Sequence, residues 1–280
     1  MKTNLCLLVV WIIHCNSAIA QSLRYSIAQP YISLSAYSRE QNDPLSFTGN
    51  QAALAQTRLP GFGIYGERRF MLEETSAYSF ATAIPTRMGN FGLQLNYSGF
   101  KNFNENKIGL AYARSLGKKA DVGVQFNYYG YRVPAYGGAS SINFEIGILI
   151  HLTDKLITGL HVYNPVGGKM GTSTSLSTGD EKLASVYKMG LGYDASERFL
   201  ISCELVKEED KTIDLIAGLQ YRFAKQFFAK AGIMSGSGSI FAGAGVAWKN
   251  LRLDISSTYH PQLGFSPGIL LIMNFKAGEK

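Results

Sequence analysis

The stretch RFLISCEL at residues 198–205 decides the fold. From Phe199 to Leu205 every second residue is apolar, and polar residues fill most of the positions between. The stretch LRLDIS at residues 251–256 repeats this alternation. Successive side chains of a β-strand point to opposite faces, so each stretch predicts a strand with one apolar and one polar face.

Two folds can use such strands. In a soluble sandwich the apolar faces pack on each other, whereas in an outer-membrane barrel they face lipid. From about residue 60 onwards the pattern predicts about fourteen strands of about 9–11 residues, long enough to cross the hydrocarbon layer when tilted. Strands of soluble proteins are usually about 5–6 residues long. The sequence therefore predicts an all-β protein, a transmembrane antiparallel β-barrel.

The connections between the predicted strands support this fold. Tight, often charged turns alternate with longer loops rich in Gly, Pro, Asn and Ser. Short periplasmic turns and longer extracellular loops are typical of outer-membrane barrels. The predicted turns are 116–119, 152–154, 194–196, 224–225 and 249–250, and the predicted loops are 99–104, 133–140, 164–184 and 261–266.

The first twenty residues are typical of a secretory signal peptide. Lys2 supplies a positive charge, residues 5–13 are an unbroken apolar run, and residues 18–20 (AIA) form a small-x-small cleavage site. The apolar run is shorter than the roughly 20 residues that a membrane-spanning helix needs. We expect cleavage near Ala20 and location in the outer membrane of a diderm bacterium.

The composition argues against several functions. The chain has 27 Lys and Arg against 20 Asp and Glu, a net charge of +7. Neither a basic stripe nor a nucleic-acid-binding motif accompanies this charge, so no nucleic-acid partner is expected. Two of the three cysteines lie in the predicted signal peptide, which leaves Cys203 without an intrachain disulfide partner.

The mature chain divides into an N-terminal segment, residues 21–58, and the barrel, residues 59–280. Residues 21–58 do not alternate throughout, and we expect them to plug or cap the lumen. Glycine lets another backbone approach a strand closely. The segment is therefore expected to pack against glycines on the lumen side: Gly147, Gly159, Gly190, Gly218 and Gly243.

Strand parity assigns each side chain to lipid or lumen. Phe91, Phe126 and Ile146 are expected to face lipid. A Lys or Arg there would cost roughly 2–4 kcal/mol near the midplane, so charged residues are assigned to the lumen. Glu204 and Asp214 are expected to face each other near the loop ends of their strands. The candidate lumen residues are Glu145, His161, Lys188, Arg198, Glu204, Asp214, Arg222, Arg252 and Asp254.

Catalytic and metal-binding patterns are missing from the sequence. Glu145 and His161 could face each other across the predicted hairpin 141–163 at about 5 Å. We interpret them as a structural pair, because no Gly-x-Ser-x-Gly nucleophile elbow accompanies them. His151 and His161 would lie roughly 20 Å apart and could not share a metal ion. We expect no enzyme activity, no metal and no cofactor.

The segment GNQAALA at residues 49–55 resembles the Asn-Pro-Ala-x-Leu-Ala element before the first strand of FadL-type outer-membrane barrels and of their PorV-like relatives. Gln51 stands where that family usually has proline. Residues 107–114, 122–126, 152–160 and 260–266 are similar in style to other parts of the family. The resemblance implies fourteen strands and an N-terminal segment in the lumen, with a plug motif formed by Asn50, Gln51, Ala52, Ala53 and Leu54.

The resemblance implies two functions. PorV-like members serve type IX secretion, where the barrel binds cargo or partner proteins, and FadL-type members pass hydrophobic molecules through a lumenal site and a lateral opening. Because the predicted loops are small, we favour a secretion accessory and keep the hydrophobic transporter as the alternative. A secreted β-sandwich binding module is the third hypothesis. The expected partners are outer-membrane lipid, secretion-system or cargo proteins, or a hydrophobic small molecule.

Overall fold

The computed structural model describes residues 30–134, 137–167, 171–172 and 183–275. The predicted signal peptide and its cleavage site lie outside these residues, as does most of the predicted loop 164–184. The strands are β1 (Gly61–Arg68), β2 (Ser76–Thr86), β3 (Gly89–Phe100), β4 (Phe103–Leu116), β5 (Ala120–Val133), β6 (Gly137–His151), β7 (Leu156–Tyr163), β8 (Gly171–Thr172), β9 (Val186–Ser196), β10 (Phe199–Glu208), β11 (Asp214–Tyr221), β12 (Phe227–Met234), β13 (Ser239–Trp248), β14 (Leu251–His260) and β15 (Gly264–Asn274).

The strands form a closed antiparallel barrel. Each long strand pairs with its neighbours in sequence order, and β1 pairs with β15 to close the wall. The two-residue strand β8 pairs only with β6, at the rim. Fourteen strands therefore make the wall, and the predicted fold is confirmed.

Alternation of burial follows the predicted parity. In β5 the burial alternates residue by residue, so that Phe126 is 63% exposed while Asn127 is 1% exposed. Phe91 and Ile146 are also exposed, as predicted for the outer face. An apolar outer surface and a polar interior are the reverse of a water-soluble protein and fit a barrel surrounded by lipid.

Three strands begin earlier than predicted. β4 begins at Phe103, within the predicted loop 99–104, β6 begins at Gly137 and β15 at Gly264, the last two with positive φ (95° and 84°). Small and polar residues at the start of β6 pair with β5, where Tyr131 lies opposite Ala139. The predicted loops 133–140 and 261–266 are shorter for this reason, because backbone pairing extends strands beyond their apolar alternation.

The barrel has two unlike ends. Six short connections, which we call the turns, lie at the end where β1 begins and β15 finishes; we call this the turn end and the opposite end the loop end. The turns are 87–88, 117–119, 152–155, 197–198, 222–226 and 249–250.

Residues 30–57, which we call the plug, fold inside the wall. They contain helix α1 (Pro30–Leu34) and 3-10 turns at Ser35–Tyr37, Ser46–Thr48 and Gln51–Gln56. Two further 3-10 turns, Arg69–Met71 and Glu73–Thr75, lie between β1 and β2. Of the helices in the described ranges, none is long and apolar enough to cross a membrane. The plug joins β1 at the turn end through residues 58–60.

Candidate functional site: the plugged lumen

The leading half of the plug, residues 30–43, is held by two wall carboxylates. Ser33 donates its hydroxyl hydrogen bond to Glu204 (2.9 and 3.2 Å to the two oxygens), and the hydroxyl of Tyr37 donates to the same carboxylate at 2.9 Å. Nearer the turn end, Ser38 Oγ and the backbone N–H of Arg39 donate to Asp194 at 2.6 and 3.0 Å. Hydrogen bonds to charged acceptors are the stronger kind, so these contacts fix the path of the leading half.

Glu204 is buried, and a lysine of the barrel wall lies next to its carboxylate. Lys188 Nζ lies 3.4 Å from its carboxylate, and both side chains are almost fully buried. Burial, together with the nearby Glu204 carboxylate, raises the pKa of Tyr37 well above its ordinary value of 10.0. Tyr37 is therefore a hydrogen-bond donor at every physiological pH.

At the turn end an arginine of the plug reaches a wall histidine. Arg39 Nε donates to Nδ1 of His151 at 3.2 Å, and its guanidinium lies 3.6 Å from Asp154. Because Nδ1 accepts this bond, the proton of the neutral imidazole is on Nε2, which lies 2.6 Å from Asp121. His151 thus links the plug to the wall through one defined tautomer.

The trailing half of the plug, residues 44–57, packs on wall glycines. Leu45 lies on Gly63, and the side chains of Phe47 and Leu54 lie on Gly92. A Cβ at Gly63 would overlap Leu45, and a Cβ at Gly92 would lie only 3.0 Å from Phe47 and 3.2 Å from Leu54. Glycine therefore provides the space in which the apolar residues of the trailing half are buried.

The plug motif, residues 50–54, is fully buried in the lumen. Asn50 caps the last 3-10 turn, since its side-chain oxygen accepts from the backbone N–H of Ala52 at 3.0 Å. The plug backbone approaches Gly123 and Gly147 so closely that a Cβ at either would collide with it.

The other predicted glycines differ in what they face. Gly190 lies under the ring of Tyr37, Gly218 lies near Leu34, and Gly159 lies near Asn50. A Cβ at Gly243 would meet the neighbouring strand instead of the plug.

Gln51 joins the plug to the most connected carboxylate of the wall. Its side-chain amide donates a short hydrogen bond to Glu145. Glu145 also binds Lys107 Nζ at 2.5 Å, Asn127 Nδ2 at 2.9 Å and His161 Nε2 at 3.0 Å. All five side chains are buried. The residue that replaces the usual proline of the family element is therefore part of a buried ionic cluster.

Lys107 was not among the predicted lumen residues. Its outward neighbours, Ile108 and Leu110, are apolar and exposed. Lys107 has the opposite parity to these two residues and therefore faces the lumen, and that signal in the sequence could have identified it.

Another buried ionic cluster of the wall contacts the plug. Asp254 accepts from Lys230 at 2.8 Å and from Arg252 at 2.7 Å. Arg252 also lies 3.3 Å from Asp43, which belongs to the plug. The plug therefore contributes a carboxylate here, whereas it contributes hydroxyls and amides to Glu204, Asp194 and Glu145.

The structure brings six of the nine candidate lumen residues to the plug, either directly or through one partner. These are Glu145, His161, Lys188, Glu204, Arg252 and Asp254.

The other three lie at the ends of the wall. Arg198 is exposed in the turn 197–198, so its assignment to the lumen is corrected: the strand begins one residue later, at Phe199. Arg222 is half-buried in the turn after β11. Asp214 lies at the loop end and accepts from Ser235 Oγ at 3.1 Å.

Two predicted cross-strand pairs have a different register. His161 lies opposite Gly147, not opposite Glu145, and reaches Glu145 diagonally. Glu204 lies opposite Ile216, two residues from Asp214, so these two carboxylates do not face each other. Parity gives the face of a residue, but the register also depends on turn geometry.

Buried apolar and aromatic residues line the wall at the loop end. We call this set the apolar collar; it consists of Tyr65, Tyr129, Tyr163, Leu183, Val186 and Phe241, and it belongs to the same hydrophobic cluster as Ile32 and Leu34 of the plug. Within the described ranges no three His, Cys, Asp or Glu side chains form a group that could hold a metal ion.

A closed β-barrel with an apolar outer face and an internal N-terminal segment defines a class, the plugged outer-membrane barrels. The solved structures that match it are outer-membrane barrels. The toluene transporter TodX of P. putida matches with a TM-score of 0.61 at 9% identity, covering 84% of this chain and 94% of that one.

Two further structures match similarly. The Ralstonia pickettii toluene transporter TbuX has a TM-score of 0.60 at 10% identity, covering 83% and 94% of the two chains. A Pseudomonas aeruginosa FadL homologue has a TM-score of 0.58 at 11% identity, covering 86% and 97%. At these identities the likeness is one of fold, and the fold is that of the FadL-type barrels. No protein-family model and no curated protein matches the sequence.

Proposed function

We propose that the chain is an outer-membrane transporter of hydrophobic small molecules whose plug controls passage. The observation that carries this proposal is the apolar collar. It lies on the loop side of the plug and is continuous with Ile32 and Leu34 of the leading half. The collar is buried, so an apolar molecule would reach it only after the residues that cover it have moved, and it would then lie next to the leading half of the plug.

The tyrosines of the collar have their hydroxyl groups bound by the wall. Tyr65 donates to Glu67 at 3.0 Å and Tyr129 donates to Glu105 at 3.1 Å. Because these polar atoms have partners, a ligand without hydrogen-bonding groups can lie against the rings without leaving them unsatisfied. This supports a hydrocarbon-like ligand more than a sugar.

The plug fills the lumen between the collar and the turn end. It is held by hydrogen bonds, ion pairs and apolar packing, all of which can be broken and reformed. We propose residues 21–58 as this gating segment and residues 59–280 as the barrel, in the outer membrane after cleavage near Ala20.

The matched structures support the transporter over the secretion accessory. TodX and TbuX are described as toluene transporters, and one TodX variant as a monoaromatic hydrocarbon channel. No match reported above is a secretion component, so a type IX role with cargo or partner proteins stays a prediction from the resemblance. The reported matches are described as toluene transporters and as a FadL homologue, which supports a function other than catalysis.

Uptake measurements in proteoliposomes test the proposal. The full-length mature barrel should accelerate entry of a labelled monoaromatic hydrocarbon over empty vesicles, and Phe241→Asp should reduce this rate by about tenfold, because a buried charge in the collar costs well over 1.4 kcal/mol. Phe241→Leu is the matched control and should transport almost normally. Entry no faster than in empty vesicles, or an unaffected Asp variant that keeps its folded-barrel mobility in electrophoresis, would overturn the proposal.

A further inference from the structure

We propose that the turn end binds the phosphate groups of anionic phospholipids in the adjacent membrane leaflet. Each of the six turns carries at least one Lys or Arg. We call these residues the basic ring: Arg87, Lys118, Lys119, Lys155, Arg198, Arg222, Lys225 and Lys249. This surface is separate from the lumen and from the transport proposed above.

The basic ring gives the barrel a strong charge asymmetry. The six turns hold eight cations against two acids, Asp154 and Glu197. The described residues that connect strands at the loop end hold three cations, Arg69, Lys101 and Lys211, against four acids: Glu73, Glu74, Glu209 and Asp210. The positive charge of the chain is therefore concentrated at one end.

The cations of the ring are available to a ligand. Seven of the eight side chains are exposed, and Arg222 is half-buried. None of the eight forms an ion pair with another described residue, and Asp154 pairs with Arg39 of the plug instead. At the loop end, by contrast, Arg69 and Lys211 pair with Glu67 and Glu208.

Aromatic side chains place the ring at the depth of lipid headgroups. Trp248, which is 66% exposed on the outer face, directly precedes Lys249. Phe223 and Phe227 flank Lys225, and their rings stack with centroids 6.2 Å apart. Exposed aromatic residues mark the membrane–water interface. Cations beside them lie level with lipid phosphates, which favours lipid over a soluble acidic partner.

A single tryptophan beside the basic ring can report lipid binding through its fluorescence. The chain has two tryptophans; Trp11 lies in the predicted signal peptide, so Trp248 alone remains in residues 21–280. The turn of Lys225 adjoins Trp248, since the N–H of Ala247 donates to the carbonyl of Gln226 at 2.7 Å. Lipid bound to Lys225 or Lys249 would therefore touch Trp248.

Quenching of Trp248 by bromine-labelled acyl chains tests the proposal. The mature barrel is placed in vesicles in which either phosphatidylglycerol or phosphatidylcholine carries the bromine. We expect phosphatidylglycerol to quench more strongly at equal mole fraction. The preference should fall about fivefold for each cation removed in Lys225→Gln and Lys249→Gln, and it should also fall at high salt.

A loop-end double variant, Lys101→Gln with Lys207→Gln, removes the same charge and should keep the preference. Folded-barrel mobility in electrophoresis shows that each variant is assembled. Equal quenching by the two lipids would overturn the proposal, and so would a preference that survives the removal of Lys225 and Lys249. Hydrocarbon uptake is measured separately, so either proposal can fail alone.

Discussion

The two halves of the plug are held in different ways. The leading half, residues 30–43, also packs on wall glycines, with Tyr37 on Gly190 and Leu34 near Gly218. It alone is held by hydroxyl and backbone donors to the wall carboxylates Glu204 and Asp194. The trailing half, residues 44–57, buries apolar side chains on wall glycines and makes amide hydrogen bonds with the wall. Gln51 donates to Glu145, Asn50 donates to the carbonyl of Leu160, and Asn90 of the wall donates to the carbonyls of Leu54 and Thr57. The trailing half is also directly connected to β1.

We expect the two halves to have different roles: the trailing half anchors the plug in the barrel, and the leading half opens the lumen. The trailing half runs through residues 58–60 into β1, so its end is covalently fixed to the wall, whereas the described contacts of the leading half with the wall are all non-covalent. Hydrogen bonds exchange with water at a net cost of about 0.5–1.5 kcal/mol each, or more when one partner is charged. We therefore expect the leading half to detach while the trailing half and the barrel remain folded.

The largest effect is expected at Glu145. Glu145→Gln leaves Lys107 buried without a counter-charge, and breaking a buried pair costs about 3–5 kcal/mol. The free energy of unfolding in vesicles, followed by Trp248 fluorescence during a urea titration, should fall by that amount. Glu73→Gln, at an exposed site, is the control and should change it by less than about 0.5 kcal/mol. Equal urea midpoints for the two variants would show that the ionic cluster contributes no stability.

Leu45→Ala tests the apolar packing of the trailing half. Leu45 is buried against Gly63, and removing a buried leucine costs about 2–5 kcal/mol of unfolding free energy. The same urea titration measures this loss, with Leu59→Ala, at an exposed leucine, as the control. If Leu45→Ala released the plug without lowering barrel stability, the trailing half would not be the anchor.

Ser33→Ala should release the leading half alone. The variant removes a hydrogen bond to a buried carboxylate, worth about 1.5–3 kcal/mol, so trypsin should cleave after Arg39 roughly tenfold to a hundredfold faster. Barrel stability should not change. Ser237→Ala is the control, because Ser237 lies in the loop between β12 and β13 and its hydroxyl bonds to Ser239, away from the plug. Equal rates of trypsin cleavage after Arg39 in the two variants would show that the Ser33 hydrogen bond does not hold the leading half in place.

The smallest effect is expected from alkaline pH acting on Tyr37. The pKa of Tyr37 is raised in the folded protein, so the folded state holds this proton more tightly than the unfolded state. The stability that the protonated Tyr37 hydroxyl contributes is complete below the ordinary pKa of 10.0. It is lost as the pH rises from there through the pKa of Tyr37 in the folded protein. Cleavage of the leading half by an alkaline-active protease should therefore accelerate as the pH rises above 10.0, the ordinary pKa of tyrosine. Tyr37→Phe should lack this acceleration; an identical pH profile would exclude Tyr37 as its source.

The barrel could be predicted from the sequence because its signal is local. Alternation from Phe199 to Leu205 gives a strand and its two faces without knowledge of any partner. The contact of His161 with Glu145 was predicted on the correct hairpin. Its diagonal geometry was not, because the register depends on the turn between β6 and β7.

The contacts of the plug could not be predicted in the same way. An irregular segment has no period, so nothing in its sequence shows which side chains meet the wall. Ser33 and Glu204 are separated by 171 positions, and Gln51 and Glu145 by 94. The resemblance indicated that Gln51 departs from proline, but the buried carboxylate that binds it became visible only in three dimensions.

The pairing of β1 with β15 has a consequence for assembly. Gly61, just after the plug, lies opposite Asn274, near the end of the chain. Contacts between such distant residues form late, since long loops must close first. The N-terminal stretch is made first, yet its binding partners on β9 and β10 are made much later. An assembling barrel must therefore keep this stretch on its inner side until the last strand joins the first and traps it there.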